Sequence, residues 1–229
     1  MKFNGYPKGA VQFLKRLEKN NNREWFQEHK GEYQSLLRKP TEDFIHALRQ
    51  KIGHDLPEFM FEPKKSIFRI HRDTRFREDK RPYKNNIAFF VRARTHKKGV
   101  DSPGFYFHIS PKEVYIGGGQ YMPSSHDLLR IRNQIDKDPK ALKKILASEK
   151  FKKTFGPMPG EKLKRAPKGF APDHSDIELL KLKQWHNDFN LDPKMMYTPE
   201  LVDYTADTFL KISPLVYWIM DTIRYKAFL

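Results

Sequence analysis

The chain has 229 residues, 38% of them hydrophobic and 14% aromatic: enough to bury a core, and too apolar for a disordered protein despite 31% charge. It has no cysteine, which excludes disulfides, thiolate metal sites and a cysteine nucleophile. A net charge of +16 favours anionic partners such as phosphates, nucleic acid or an anionic surface.

The first 60 residues read as helical. In "PKGAVQFLKRLEKN", Val11, Leu14 and Leu17 share one face, and "NNN" stops the run. Asn22 is placed to cap a second helix, in which Phe26, His29, Tyr33, Leu36 and Leu37 recur at helical spacing. Pro40 breaks or restarts it, "TEDFIHALRQKI" continues to Gly53, and "HDLPEF" is a connector.

Residues 61–120 alternate instead. "SIFRIHRD" places Phe68, Ile70 and Arg72 on one side, with Ile67, Arg69, His71 and Asp73 on the other. "IAFFVRAR" turns Ile87, Phe89 and Val91 one way. "GFYFHIS" turns Phe105, Phe107 and Ile109 one way, with Tyr106, His108 and Ser110 opposite. After a tight "SPKE" turn, "EVYIGGG" supplies a fourth strand with Val114 and Ile116 inward. Short connections make these strands an antiparallel meander with one face against helices.

Helices return at "SSHDLLRIRNQI" and "PKALKKILASEKFKKTF", followed by a loop rich in Pro, Gly and Lys. Ser175 and Glu178 have capping-box spacing for a helix through "SDIELLKLKQWH". The stretch 198–229 reads as two helices or one kinked at Pro214. With no internal repeat, the expectation is a single α+β domain: residues 1–60 helical, 61–120 antiparallel strands, 121–229 mainly helical. The longest apolar run, "PLVYWIMDTI", is interrupted by Asp221, so no membrane span is expected. "MKFNGYPKGA" lacks a signal peptide's apolar stretch, and a cytoplasmic location is the expectation.

The charge is uneven. Residues 1–60 carry +3, 61–120 +8, 121–170 +8 and 171–229 −3. The densest stretch is "RIHRDTRFREDKRPYKNN" at 69–86, with seven cations against Asp73, Glu78 and Asp79. Five of the seven are arginines, whose planar fork grips phosphate or carboxylate with two parallel bonds. Arg69, Arg72 and Arg75 are the candidate anion ligands, supported by Lys80, Lys84 and the Tyr83 hydroxyl. Asp73 and Asp79 are candidates to orient arginines, ligate a metal or accept a proton. His108, on the polar strand face, is a candidate acid or base near neutral pH. Gly118, in "GGG", permits close approach of a ligand to backbone amides, with a plain bulge as the alternative. Arg165 lies in the basic loop "KLKRAPKGF", which is either a lid or a solvated linker. His174 belongs to a helix entry.

The opposing view of the arginine stretch is an internal salt-bridge ladder. Exposed pairs contribute only ~0–1 kcal/mol each. Charge-assisted bonds to a ligand reach ~1.5–3 kcal/mol, which better explains such arginine density. Phosphate-loop, HExxH, GxSxG and GxGxxG motifs are absent. "HRD" at 71–73 imitates a kinase catalytic loop, yet Glu78 stands where a magnesium-binding Asn belongs.

Arg69, Arg72, Asp73, Arg75, Phe76, Asp79, Lys80 and Tyr83 stand as R-x-x-R-D-x-R-F followed by D-K and then Y. In this signature, and in "NNNREWF", "GGGQYMP" and "KRAPKGF", nearly the whole chain resembles a widespread bacterial family of similar length. That family is the domain of unknown function 2461, also found within longer fungal proteins. The resemblance implies that residues 69–84 are the functional centre; it implies no established activity, cofactor or substrate. The leading expectation is a pocket for a small phosphorylated or carboxylated ligand, whether or not a reaction follows. A nucleic-acid-binding module and an interaction protein with an internal Arg/Asp network are the alternatives. No metal ligand, cofactor or oligomeric state is assigned.

Overall fold

The computed structural model describes residues 3–75, 78–94 and 102–223. The fold is α+β, with a four-stranded antiparallel sheet and helices that come before and after strands β1–β3 in the chain. The chain divides into two compact units: residues 1–94, 106–116 and 190–207 form the first, and 95–105, 117–189 and 208–229 the second.

The first unit begins with α1 (Ala10–Lys19), which buries Phe13, Leu14 and Leu17. Asn22 caps α2 (Arg23–Glu28) by accepting the Trp25 N–H at 2.9 Å. α3 (Lys30–Tyr33) passes through a π turn at Gln34–Arg38 into α4 (Lys39–Ile52). Pro40 sits in the first turn of α4, so it does not end the helix. The wide turn before it, in which the Lys39 N–H reaches the Gln34 carbonyl, absorbs the irregularity. These helices bury Phe44, Ile45 and Leu48 against the apolar side of the strands: Phe44 meets Phe107 at 4.9 Å and Phe89 at 5.8 Å.

After the single turn α5 (Pro63–Ser66), the strands are β1 (Ile87–Arg92), β2 (Gly104–Ile109) and β3 (Val114–Gln120). Alternation decides which side chains enter the core: Phe89, Val91, Phe107, Ile109, Val114 and Ile116 are all buried. The β2–β3 hairpin closes at Ser110, whose N–H donates to Glu113 O at 2.9 Å.

The second unit carries α6 (Ser125–Lys137), α7 (Lys140–Ala147), α8 (Glu149–Phe155), α9 (Ile177–Leu180) and, up to residue 189, β4 (Trp185–Leu191). Ser124 caps α6 and Ser148 caps α8. The last helix, α10 (Leu201–Ile223), is continuous through Pro214. Its Phe209 stacks on Phe105 at 4.9 Å, and its Ile212 lies over Gly118. The strand order is β1-β2-β3-β4. Among the described residues no helix is long and apolar enough to cross a membrane.

Two expectations are corrected. "SIFRIHRD" is not a ladder strand; it makes isolated bridges only, Ile67 to Phe89 and His71 to Tyr83. Beyond the second bridge, Asp73 and Asp79 take the backbone N–H groups of Arg75 and Arg81, which diverts the chain into turns. "SDIELLKLKQWH" is helical only to Leu180, and β4 follows. The capping box does not form: Asp176 occupies the cap without a side-chain capping bond, its carboxylate pairing with Lys143 instead, and Glu178 pairs with Lys162 and Lys181.

Candidate functional site

The loop at 69–84 hangs from a short antiparallel clasp. The Arg72 N–H donates to Pro82 O at 2.8 Å, and the Lys84 N–H donates to Ile70 O at 2.9 Å. Pro82 has no N–H, which limits further pairing on its side. The clasp is anchored to the α1–α2 connection. Asn21 Nδ2 donates to Tyr83 O, and the Tyr83 N–H donates to Asn21 Oδ1. The Tyr83 ring is buried and stacks on Phe26 at 4.1 Å. Its ring therefore serves packing at the loop's root. Asn21 has no signal in the sequence beyond the "NNN" stop.

Each carboxylate of the loop is held by arginine. Asp73 accepts from Arg75 three times: from its backbone N–H at 3.2 Å, Nε at 3.1 Å and Nη2 at 2.8 Å. Asp79 accepts from Arg72 Nη1 at 2.5 Å, and from Arg81 through its backbone N–H at 3.1 Å and Nη2 at 2.7 Å. The Arg75 hydrogen bonds hold the Asp73 carboxyl far below the usual carboxylate range, and those of Arg81, helped by the charge of Arg72, do the same for Asp79. Both are ionised at neutral pH and have no proton to give. They orient guanidinium groups, and Arg72, with a side chain only 17% exposed, is the inner member of the Arg72–Asp79–Arg81 cluster.

The other cations are placed differently. Lys80 Nζ donates to Thr74 O at 3.1 Å and ties the two limbs of the loop together. Lys84 Nζ stands 5.3 Å over the Phe68 ring. Arg69 is exposed and makes no hydrogen bond or ion pair among the described residues; it adds only a through-space pull on Asp73. Phe76 and Arg77 lie outside the described residues.

His108 is in the same unit, buried on the strand face away from the helices, with Tyr106 Oη 3.1 Å from its Nδ1 and its ring stacked on Tyr115 at 4.5 Å. Gly118 and Arg165 belong to the second unit. A Cβ at Gly118 would stand 2.8 Å from Ile212 Cγ2, and one at Gly119 2.1 Å from Trp185 O; Gly119 also has φ of +123°. The glycine triplet thus meets β4 and α10, which accounts for its missing side chains by packing. Arg165 is exposed. Among the described residues no three His, Asp or Glu side chains group closely enough to hold a metal ion.

A family model described as "Conserved hypothetical protein (DUF2461)" matches residues 9–218. No curated protein and no solved structure matches the chain. The family match includes α1, the clasped arginine loop, all four strands and most of α10. On that extent of agreement, the chain belongs to the DUF2461 family.

Proposed function

We propose that the loop at 69–84 binds a small phosphorylated or carboxylated anion. The observation that carries this reading is the state of Arg69: exposed and without a hydrogen-bonded partner among the described residues, while both nearby aspartates already have arginines. Arg69 and Arg75 grip the anion, Lys80 and Lys84 add charge at its edge, and Arg72 with Asp79 holds the frame. Asp73 fixes the fork of Arg75 in one plane. Neither aspartate is a proton donor at neutral pH, so binding, and not acid catalysis by these groups, is the role that fits them.

The test is a calorimetric titration with inorganic phosphate and with a dicarboxylate, on the intact protein and on Arg69→Ala. The reading expects saturable heat that the variant loses. No heat from either anion contradicts it. Nucleic acid is a second reading, supported by the exposed lysines of α7 and α8, Lys144, Lys150 and Lys152. It expects a log affinity for duplex DNA that falls linearly with log salt, with a slope of ~0.9 per phosphate contacted.

A further inference from the structure

We infer that His71 is a further ligand of the anion beside Arg69, and that it selects a tetrahedral phosphate or sulfate ester over a planar carboxylate; the inference rests on the anion-binding reading of the loop. The two isolated bridges settle which side chains share a side. Ile67 pairs with Phe89 and His71 with Tyr83, so Ile67, Arg69 and His71 project one way and Phe68 the other. The charge of Arg69 is felt at Asp73, the next position on that same side. The clasp bonds, Arg72 N–H to Pro82 O and Lys84 N–H to Ile70 O, flank the His71–Tyr83 pair and leave it without bonds of its own, the arrangement in which facing side chains stand closest.

The Tyr83 ring is buried against Phe26, and the His71 ring lies 5.1 Å from it. The imidazole is thus backed by a fixed residue, while the side chain as a whole is exposed. Neither ring nitrogen of His71 has a hydrogen bond or ion pair among the described residues. Imidazole carries an N–H whether neutral or charged, so His71 has a donor to offer in either state. The fork of Arg69 takes two oxygens in one plane, and a carboxylate has no others. A phosphate or sulfate ester has a third terminal oxygen outside that plane. Side chains two apart on an extended run start ~6.6 Å from one another, a gap that an arginine side chain spans. His71 is therefore placed to donate to the third oxygen of a group held by Arg69.

The probes are inorganic phosphate, methyl sulfate and acetate; the last two carry the same single charge, so charge does not separate them. Methyl sulfate is expected to bind about tenfold more tightly than acetate, the worth of one further hydrogen bond. His71→Ala is expected to erase that advantage and leave acetate unaffected. His71→Gln keeps the advantage, because an amide N–H remains, and Arg69→Ala weakens all three anions. NMR on the unaltered protein gives a readout independent of the variants: the carbon-bound imidazole protons of His71 shift with phosphate and methyl sulfate, and much less with acetate. Equal affinities for methyl sulfate and acetate, an advantage that survives His71→Ala, or His71 protons that do not respond overturn this inference and leave the anion reading intact. If no probe binds, both readings fall.

Discussion

Asn21 and Tyr83, 62 positions apart, exchange two hydrogen bonds of 3.0 Å, one in each direction between side-chain amide and backbone. This reciprocal pair joins the α1–α2 connection to the root of the arginine loop. Asn21→Ala leaves the N–H and C=O of a buried residue without these partners, and is expected to cost ~1–3 kcal/mol. Chemical denaturation gives the stability loss, and a phosphate titration is expected to show weaker binding because the clasp loosens. Unchanged stability contradicts the role assigned to Asn21.

Arg69 and Arg72 are expected to behave in opposite ways. Arg72 is mostly buried and bonded to Asp79, so Arg72→Ala lowers the melting temperature. Arg69 is exposed among other cations, so Arg69→Ala leaves the melting temperature unchanged or raises it slightly. Paired thermal melts decide. Equal losses in both variants make the whole stretch an internal network.

The pH dependence follows from the two aspartates. Their folded pKa values are lowered by arginine hydrogen bonds, so the stability they contribute is fully present above the unfolded carboxylate pKa of ~3.9. It is lost as pH falls from there through the lower folded values. The loop's contribution is therefore flat from neutrality down to mildly acidic pH. An acid titration of Asp73→Asn against the unaltered protein is expected to show a shallower loss of stability below about pH 4. A difference between the two that changes with pH near neutrality contradicts this.

The glycine triplet gives a prediction in the second unit. Gly118→Ala forces a Cβ to within 2.8 Å of Ile212, and is expected to cost ~1–3 kcal/mol by overpacking. Gly119→Ala adds the strain of φ +123° and a clash with backbone, so its cost is larger. Denaturation curves rank the two. If Gly118→Ala is as stable as the parent, packing does not account for the missing side chain at that position.

The helices of the first 60 residues and strands β1 to β3 are legible in the sequence because burial follows period: Leu14 and Leu17 on α1, Phe107 and Ile109 on β2, Val114 and Ile116 on β3. β4 is not, because "WHNDFNL" mixes poor strand formers with an apolar set that begins in the preceding leucine-rich run. One of its inward positions is polar: Asn187 is buried, with Nδ2 donating to Pro157 O at 3.2 Å. The arginine density of the loop is equally visible. Its pairing is not, since Arg72 has Asp73 beside it in sequence and yet bonds to Asp79. Local turns decide that choice: each aspartate captures the backbone N–H two residues ahead, and with it that residue's guanidinium. The link from Asn21 to Tyr83 depends on tertiary contact over 62 residues, which no local pattern encodes.

Anion binding by the loop is most directly tested by melting the protein in rising phosphate beside Arg69→Ala and a surface control, Lys150→Ala on α8. A ligand that binds only the folded chain raises the melting temperature, by about 5–10 °C when its concentration reaches a hundred times Kd. The account predicts that rise for the unaltered protein and for Lys150→Ala, and its loss in Arg69→Ala. No rise in the unaltered protein, or the same rise in all three, contradicts it.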